Sequence, residues 1–140
     1  MRRLALVAHD NKKVDLVAWA TFNRETLAGF GTVATGHTAR LLQDKVGLEV
    51  EAVLSGPEGG DAQIAARVAT GGLDAVFFFV DPLAAQPHDP DIRALLRVCN
   101  VHNVPVATNL ATADLIIAAL TLGGDGAAGE SRRPGVPPGS

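Results

Sequence analysis

Residues Ser55 to Asp61, reading SGPEGGD, put a hydroxyl, three glycines and a carboxylate directly after the apolar run Val50 to Leu54. A glycine-rich turn exposes backbone N–H groups to an anion, and the carboxylate sets a proton acceptor or donor beside whatever binds. Chemistry on a small phosphorylated molecule is what this combination suits. Position alone leaves Asp61 open between two roles. As a helix N-cap it would accept N–H bonds that stabilise its ionised form, whereas facing a ligand it would serve as a base. His88, in Gln86-Pro87-His88-Asp89-Pro90-Asp91, is an imidazole between prolines and carboxylates, and it reads either as a proton shuttle or as a surface histidine.

Further polar groups follow apolar runs at several points. Lys13 offers a cation; Thr35, Gly36 and Thr38 offer hydroxyl and N–H donors at a helix start, and Ser55 and Gly56 offer more. Singly, each is also an ordinary solvated or capping residue. Their convergence on one edge of a sheet favours phosphate binding. His9 beside Asp10 reads as a structural histidine orienting a strand end, and His37 and His102 as surface or helix-packing residues. Neither a Walker glycine-lysine loop nor a dinucleotide G-x-G-x-x-G after the first strand is present, so ATP hydrolysis and NAD binding are not expected. Four scattered histidines and one cysteine never take zinc-ligand spacing, so no metal or other cofactor is expected.

Positioning these groups requires a repeating framework. Strand-length runs at Leu4–Ala8, Gly31–Ala34, Val50–Leu54, Asp74–Val80 and Val104–Ala107 each end in polar residues and precede a helical pattern. The first helix is expected to extend to about Leu27. Ile64, Ala65, Val68 and Ala69 make a later apolar stripe, and Ile92, Leu95, Leu96 and Cys99 another after an Asp89-Pro90 start; Thr112 is a candidate cap for the last helix. Phe77-Phe78-Phe79 suits a central strand covered on both faces. Alternation of this kind predicts an α/β fold with a parallel sheet and helices on both sides, with Asp10, Thr35, Ser55, Asp81 and Asn109 gathered at the strand C-terminal edge, where such sheets bind ligands.

At 140 residues the chain fits one domain over residues 1–122, followed by a tail, 123–140, in which nine of eighteen residues are glycine or proline and mobility is expected. A net charge of −3 and the absence of tyrosine argue against nucleic acid. No apolar run is long enough to cross a membrane. Cys99 allows no internal disulfide, and Met1-Arg2-Arg3 leads into a strand-like run rather than a secretory signal, so a cytoplasmic protein is expected.

Taken together, VAHDNKK (7–13), ATGHT (34–38), LSGPEGGDAQIA (54–65), FFVDPL (78–83), QPHDPDIRALLR (86–97) and PVATNLATAD (105–114) closely resemble the methylglyoxal synthase family, in the family's order and across most of residues 4–118. The resemblance implies a three-layer α/β/α sandwich with a five-stranded parallel sheet in the order 3-2-1-4-5. It implies conversion of dihydroxyacetone phosphate to methylglyoxal and inorganic phosphate, with no metal. Asp61 takes the general-base position, His88 handles the enediolate oxygens with help from Asp91, and Asp10 and Asp81 match further active-site carboxylates. Lys13, Thr35, Thr38, Ser55 and Gly56 match the phosphate contacts, and His9 and Gly36 are counted with the same binding set. A homohexamer inhibited cooperatively by phosphate is also implied. Two features depart from the family pattern: His37 stands where many members have a second threonine, and the Gly/Pro-rich tail stands where many carry an ordered segment whose arginine reaches a neighbouring subunit. The rival reading is a ligand-sensing domain that uses the same phosphate pocket without a base.

Overall fold

The computed structural model describes residues 2–83 and 92–122. Strands β1 (Arg3–Ala8), β2 (Gly31–Thr35), β3 (Val50–Val53), β4 (Ala75–Phe79) and β5 (Val106–Ala107) form one sheet in the order β3-β2-β1-β4-β5. Every neighbouring pair is parallel; Leu6, for example, is in register with Ala34 on one side and Phe77 on the other. The expected order and sense of the sheet are therefore observed, with the reversal of strand order between β1 and β4.

Side chains alternate across the sheet with period two, and this divides the core. Leu4, Leu6, Phe77 and Phe79 meet α1 (Lys13–Phe22), α3 (Gly36–Leu41) and α6 (Leu110–Leu122) through Leu16, Trp19, Ala39, Ala113 and Ile117. Ala5, Val7, Val76 and Phe78 meet α4 (Gly60–Ala69) and α5 (Ile92–Val101) through Ile64, Val68, Leu95 and Cys99. Both faces of β1 and β4 are thus covered, which is why their sequences are continuously apolar. Trp19 packs against Phe77 and Phe79, and its indole N–H donates to Asp114 of α6 at 3.0 Å. No helix among the described residues is long and apolar enough to cross a membrane.

The first four strands differ from expectation by one residue at one end or both, and three further differences have a clear cause. The fifth strand begins at Val106 rather than Val104, because Pro105 has no N–H to donate, although its carbonyl accepts from Val76 N at 2.9 Å. The first helix breaks at Asn23, whose backbone N and side-chain amide both donate to the Trp19 carbonyl, and a short α2 (Arg24–Leu27) follows. Thr112 is not the cap of the last helix. Asn109 is, since its carboxamide oxygen accepts from Thr112 N at 2.9 Å and from the Thr112 hydroxyl at 3.0 Å. The Asp89-Pro90 helix start and the tail from Gly123 lie outside the described residues.

Candidate active site

Polar groups at the C-terminal ends of β1, β2 and β3 face one cleft of about 380 Å³, lined by Ala8, Asp10, Lys13, Thr35, His37, Ser55, Gly56 and Pro57. Parallel strands bring these loops to a single edge because each crossover helix returns the chain to the opposite edge. Lys13 sits at the start of α1, where its ammonium reaches Asp10 Oδ1 at 2.8 Å and His37 Nδ1 at 2.8 Å. The lysine side chain is 15% exposed, so its charge is held partly out of water beside a carboxylate that is 45% exposed.

Backbone contacts shape the third wall. Ser55 O accepts from Glu58 N at 3.0 Å and from Gly60 N at 2.8 Å, closing a turn in which Gly59 takes φ 105°. The Ser55 hydroxyl donates to Glu58 Oε1 at 2.8 Å. Gly36 N donates to Leu54 O at 3.2 Å, which joins the β2 and β3 loops and commits that N–H to the protein. Gln63 of α4 accepts from Leu54 N at 2.8 Å, so the turn is braced from the helix that follows it.

The ends of β1 and β4 form an adjacent wall. His9 is 6% exposed, and its ring Nδ1 accepts from Asp81 N at 2.9 Å while the ring makes a T-shaped contact with Phe78. Accepting at Nδ1 leaves the proton of a neutral imidazole on Nε2. Asp81 accepts from the Asn11 amide at 3.0 Å and from Leu83 N at 3.0 Å. Those bonds, the Asn11 one foremost, hold its carboxyl below the usual carboxylate range, with Lys12 adding electrostatic support. His9 therefore does orient the strand edge, as its position beside Asp10 suggested.

Of the residues singled out from sequence, Asp10, Lys13, Thr35, Ser55 and Gly56 meet in the cleft. Asp81 and His9 lie at the neighbouring strand ends. Thr38 is 1% exposed and does not line the cleft, yet its hydroxyl has no hydrogen-bond partner among the described residues. A buried orphan hydroxyl is costly by about 1–3 kcal/mol, so Thr38 carries an unmet demand next to the site. Asp61 falls within the first turn of α4, whose N-cap is Gly59, so the N-cap alternative for Asp61 does not hold. His88 and Asp91 lie outside the described residues.

Sequence reasoning assigned His37 to the surface or to helix packing. It is exposed, as expected, and it also lines the cleft in contact with Lys13. Its place between Thr35 and Thr38, two residues past a strand end, was the available signal. A larger concavity of about 990 Å³ lies towards the other end of the sheet, near Arg3, Gly31 and Val50. Its ionic groups include the pair Arg67 and Glu51, bonded through the two terminal guanidinium nitrogens, and no histidine or cysteine lines it. Asp10, Thr35 and Ser55, strand-end residues singled out from sequence, line the smaller cleft and not this one. Among the described residues no three His, Cys, Asp or Glu side chains converge as a metal site would require.

Comparison with known proteins agrees with this fold. The family model for the MGS-like domain matches residues 15–108. The methylglyoxal synthase of Ralstonia nicotianae is 56% identical over 121 residues, covering 86% of this chain and 90% of that protein. That of Thermus thermophilus is 55% identical over 118 residues, covering 84% and 94%. The crystal structure of methylglyoxal synthase from Elizabethkingia anophelis NUHP1 superposes with a TM-score of 0.82 at 46% identity, covering 84% of this chain and 77% of that one.

Proposed function

This chain belongs to the methylglyoxal synthase family, and from that premise we propose that it converts dihydroxyacetone phosphate to methylglyoxal and inorganic phosphate, as a carbon–oxygen lyase. One observation of the fold carries the reading furthest: a half-buried lysine and a glycine-rich turn converge on one small cleft at the C-terminal edge of a parallel sheet. Lys13, Thr35, Ser55 and Gly56 line it and suit a phosphate group; Thr38, with its orphan hydroxyl, and Gly36 stand beside them.

The reaction needs three things of the protein. A base must take a proton from the carbon bearing the hydroxyl, donors must hold the enediolate oxygens, and the phosphate must be gripped while the C–O bond breaks. We assign the base to Asp61, in the first turn of α4, which follows the loop that carries Ser55 and Gly56. His88 moves protons among the enediolate oxygens, assisted by Asp91, while Asp10 and Asp81 complete the acidic wall and His9 orients it. Loss of phosphate from the adjacent carbon gives the enol of methylglyoxal, which then takes a proton at its terminal carbon. Each placed acid, base or donor is typically worth on the order of 10² to 10⁴ in rate.

Family membership also supports a cytoplasmic homohexamer with phosphate as product and inhibitor. Incubating the protein with dihydroxyacetone phosphate tests the activity: methylglyoxal and phosphate are expected in equal amounts. Tight phosphate binding with no turnover would favour the sensing domain instead.

A further inference from the structure

Lys13 and His37 form a couple that conventional phosphate-pocket residues do not explain. An ammonium has three N–H donors and no acceptor, so the 2.8 Å contact between Lys13 Nζ and His37 Nδ1 requires the ring nitrogen to accept. A neutral imidazole that accepts at Nδ1 carries its proton on Nε2. Lys13 thereby selects the tautomer in which His37 is a donor at its far nitrogen. Among the described residues Nε2 has no protein partner, and His37, an exposed residue, is one of those lining the same cleft as Thr35, Ser55 and Gly56.

The donor count strengthens the case. Asp10 and His37 occupy two of the three N–H groups of Lys13, which leaves one for an anion. The Ser55 hydroxyl is bonded to Glu58, and the Gly36 N–H is bonded to Leu54 O. Several donors of the cleft are thus already engaged within the protein. His37 Nε2–H is one that stands available without breaking a bond.

We propose that His37 is a substrate-binding residue of this chain, donating from Nε2 to a phosphate oxygen of a small phosphate monoester, with Lys13 acting on it as the positioning residue that holds the tautomer. This deepens the phosphate-binding reading of the cleft and rests on it. Hydrogen bonds to charged groups contribute enough that losing one weakens binding by about tenfold to a hundredfold.

The test compares wild type with His37→Ala and His37→Gln in the full chain, using inorganic phosphate by calorimetry and dihydroxyacetone phosphate by steady-state kinetics. His37→Ala is expected to weaken phosphate binding and raise KM by about tenfold or more, with kcat falling much less. His37→Gln keeps an amide donor and is expected to recover most of the loss. Nitrogen-15 spectra of the wild type, with the His37 signals assigned by their loss in the Gln variant, should show an unprotonated Nδ1 and an Nε2 resonance that moves on adding phosphate. Unchanged phosphate affinity in His37→Ala, or a proton on Nδ1, would overturn the inference while leaving wild-type turnover intact. Should the wild type bind phosphate through His37 but turn over nothing, the inference would stand and the enzymatic reading would fall. A wild type that binds no phosphate would remove both.

Discussion

Gly60→Ala asks whether the Ser55–Gly56 turn is held in place by close backbone approach. A Cβ at residue 60 would lie 1.8 Å from Leu54 O, 2.8 Å from Leu54 C and 3.0 Å from Ser55 O. All three are main-chain atoms, so no side chain can swing away. Gln63 holds Leu54 N, Gly36 holds Leu54 O, and Gly60 N itself holds Ser55 O, so a shift must also strain these bonds. Restoring even a tight carbon–oxygen contact requires the turn to move by more than about 1 Å. Overpacking of this kind costs about 1–3 kcal/mol of stability, and a misplacement of about 1 Å at a reacting group can cost about a hundredfold in rate. The expected result is a lower denaturant midpoint, kcat/KM for dihydroxyacetone phosphate reduced by about a hundredfold, and weaker competition by phosphate. Gly59→Ala is the control. Its φ of 105° makes alanine strained, by about 1–2 kcal/mol, but no heavy atom lies within 4 Å, so its kinetic cost should be much smaller. A Gly60→Ala protein with kcat/KM within about threefold of wild type and an unchanged midpoint would refute the reasoning, since one effect or the other must follow from the clash.

Asp61→Asn should lose at least about a hundredfold in kcat while still binding phosphate, measured by turnover and by calorimetry; retained turnover would deny it the role of base. Burial pushes the Cys99 thiol up to about 11, so a thiol-specific disulfide reagent at pH 8 should leave the native protein unlabelled and label it only in denaturant. The Arg67 guanidinium beside Glu51 holds that carboxyl below the usual range. A depressed carboxyl pKa contributes stability that is present above the unfolded value and lost as pH falls through the folded one. Wild type should therefore exceed Glu51→Gln in stability at pH 7, by less than about 1 kcal/mol because the pair is largely exposed, and the two should converge in acid below about pH 4.

Most of the framework could be read from residue order because the central strands β1 and β4 are apolar on both faces. Phe77-Phe78-Phe79 announced a covered central strand, and each apolar run ended at the polar residue that the sheet now presents at its edge. Features that depend on contacts across loops were not legible. Asn109 rather than Thr112 caps α6 because the chain turns earlier than the position of the threonine suggested. The requirement for glycine at position 60 comes from the Leu54 carbonyl, six residues away, and no composition rule reveals it. His37 is the surface histidine it was expected to be, but its contact with Lys13, 24 residues distant, was not legible because it forms only once β1 and β2 pair.

The central claim is that a proton leaves the hydroxyl-bearing carbon and phosphate is then expelled. Its most direct test is turnover of dihydroxyacetone phosphate carrying two deuterium atoms at the hydroxymethyl carbon, followed by mass spectrometry of the products. The account predicts methylglyoxal and phosphate in equal amounts, with one deuterium retained at the aldehyde and one solvent hydrogen added to the methyl group. Phosphate released with dihydroxyacetone that keeps both deuterium atoms, or no release at all, would contradict it.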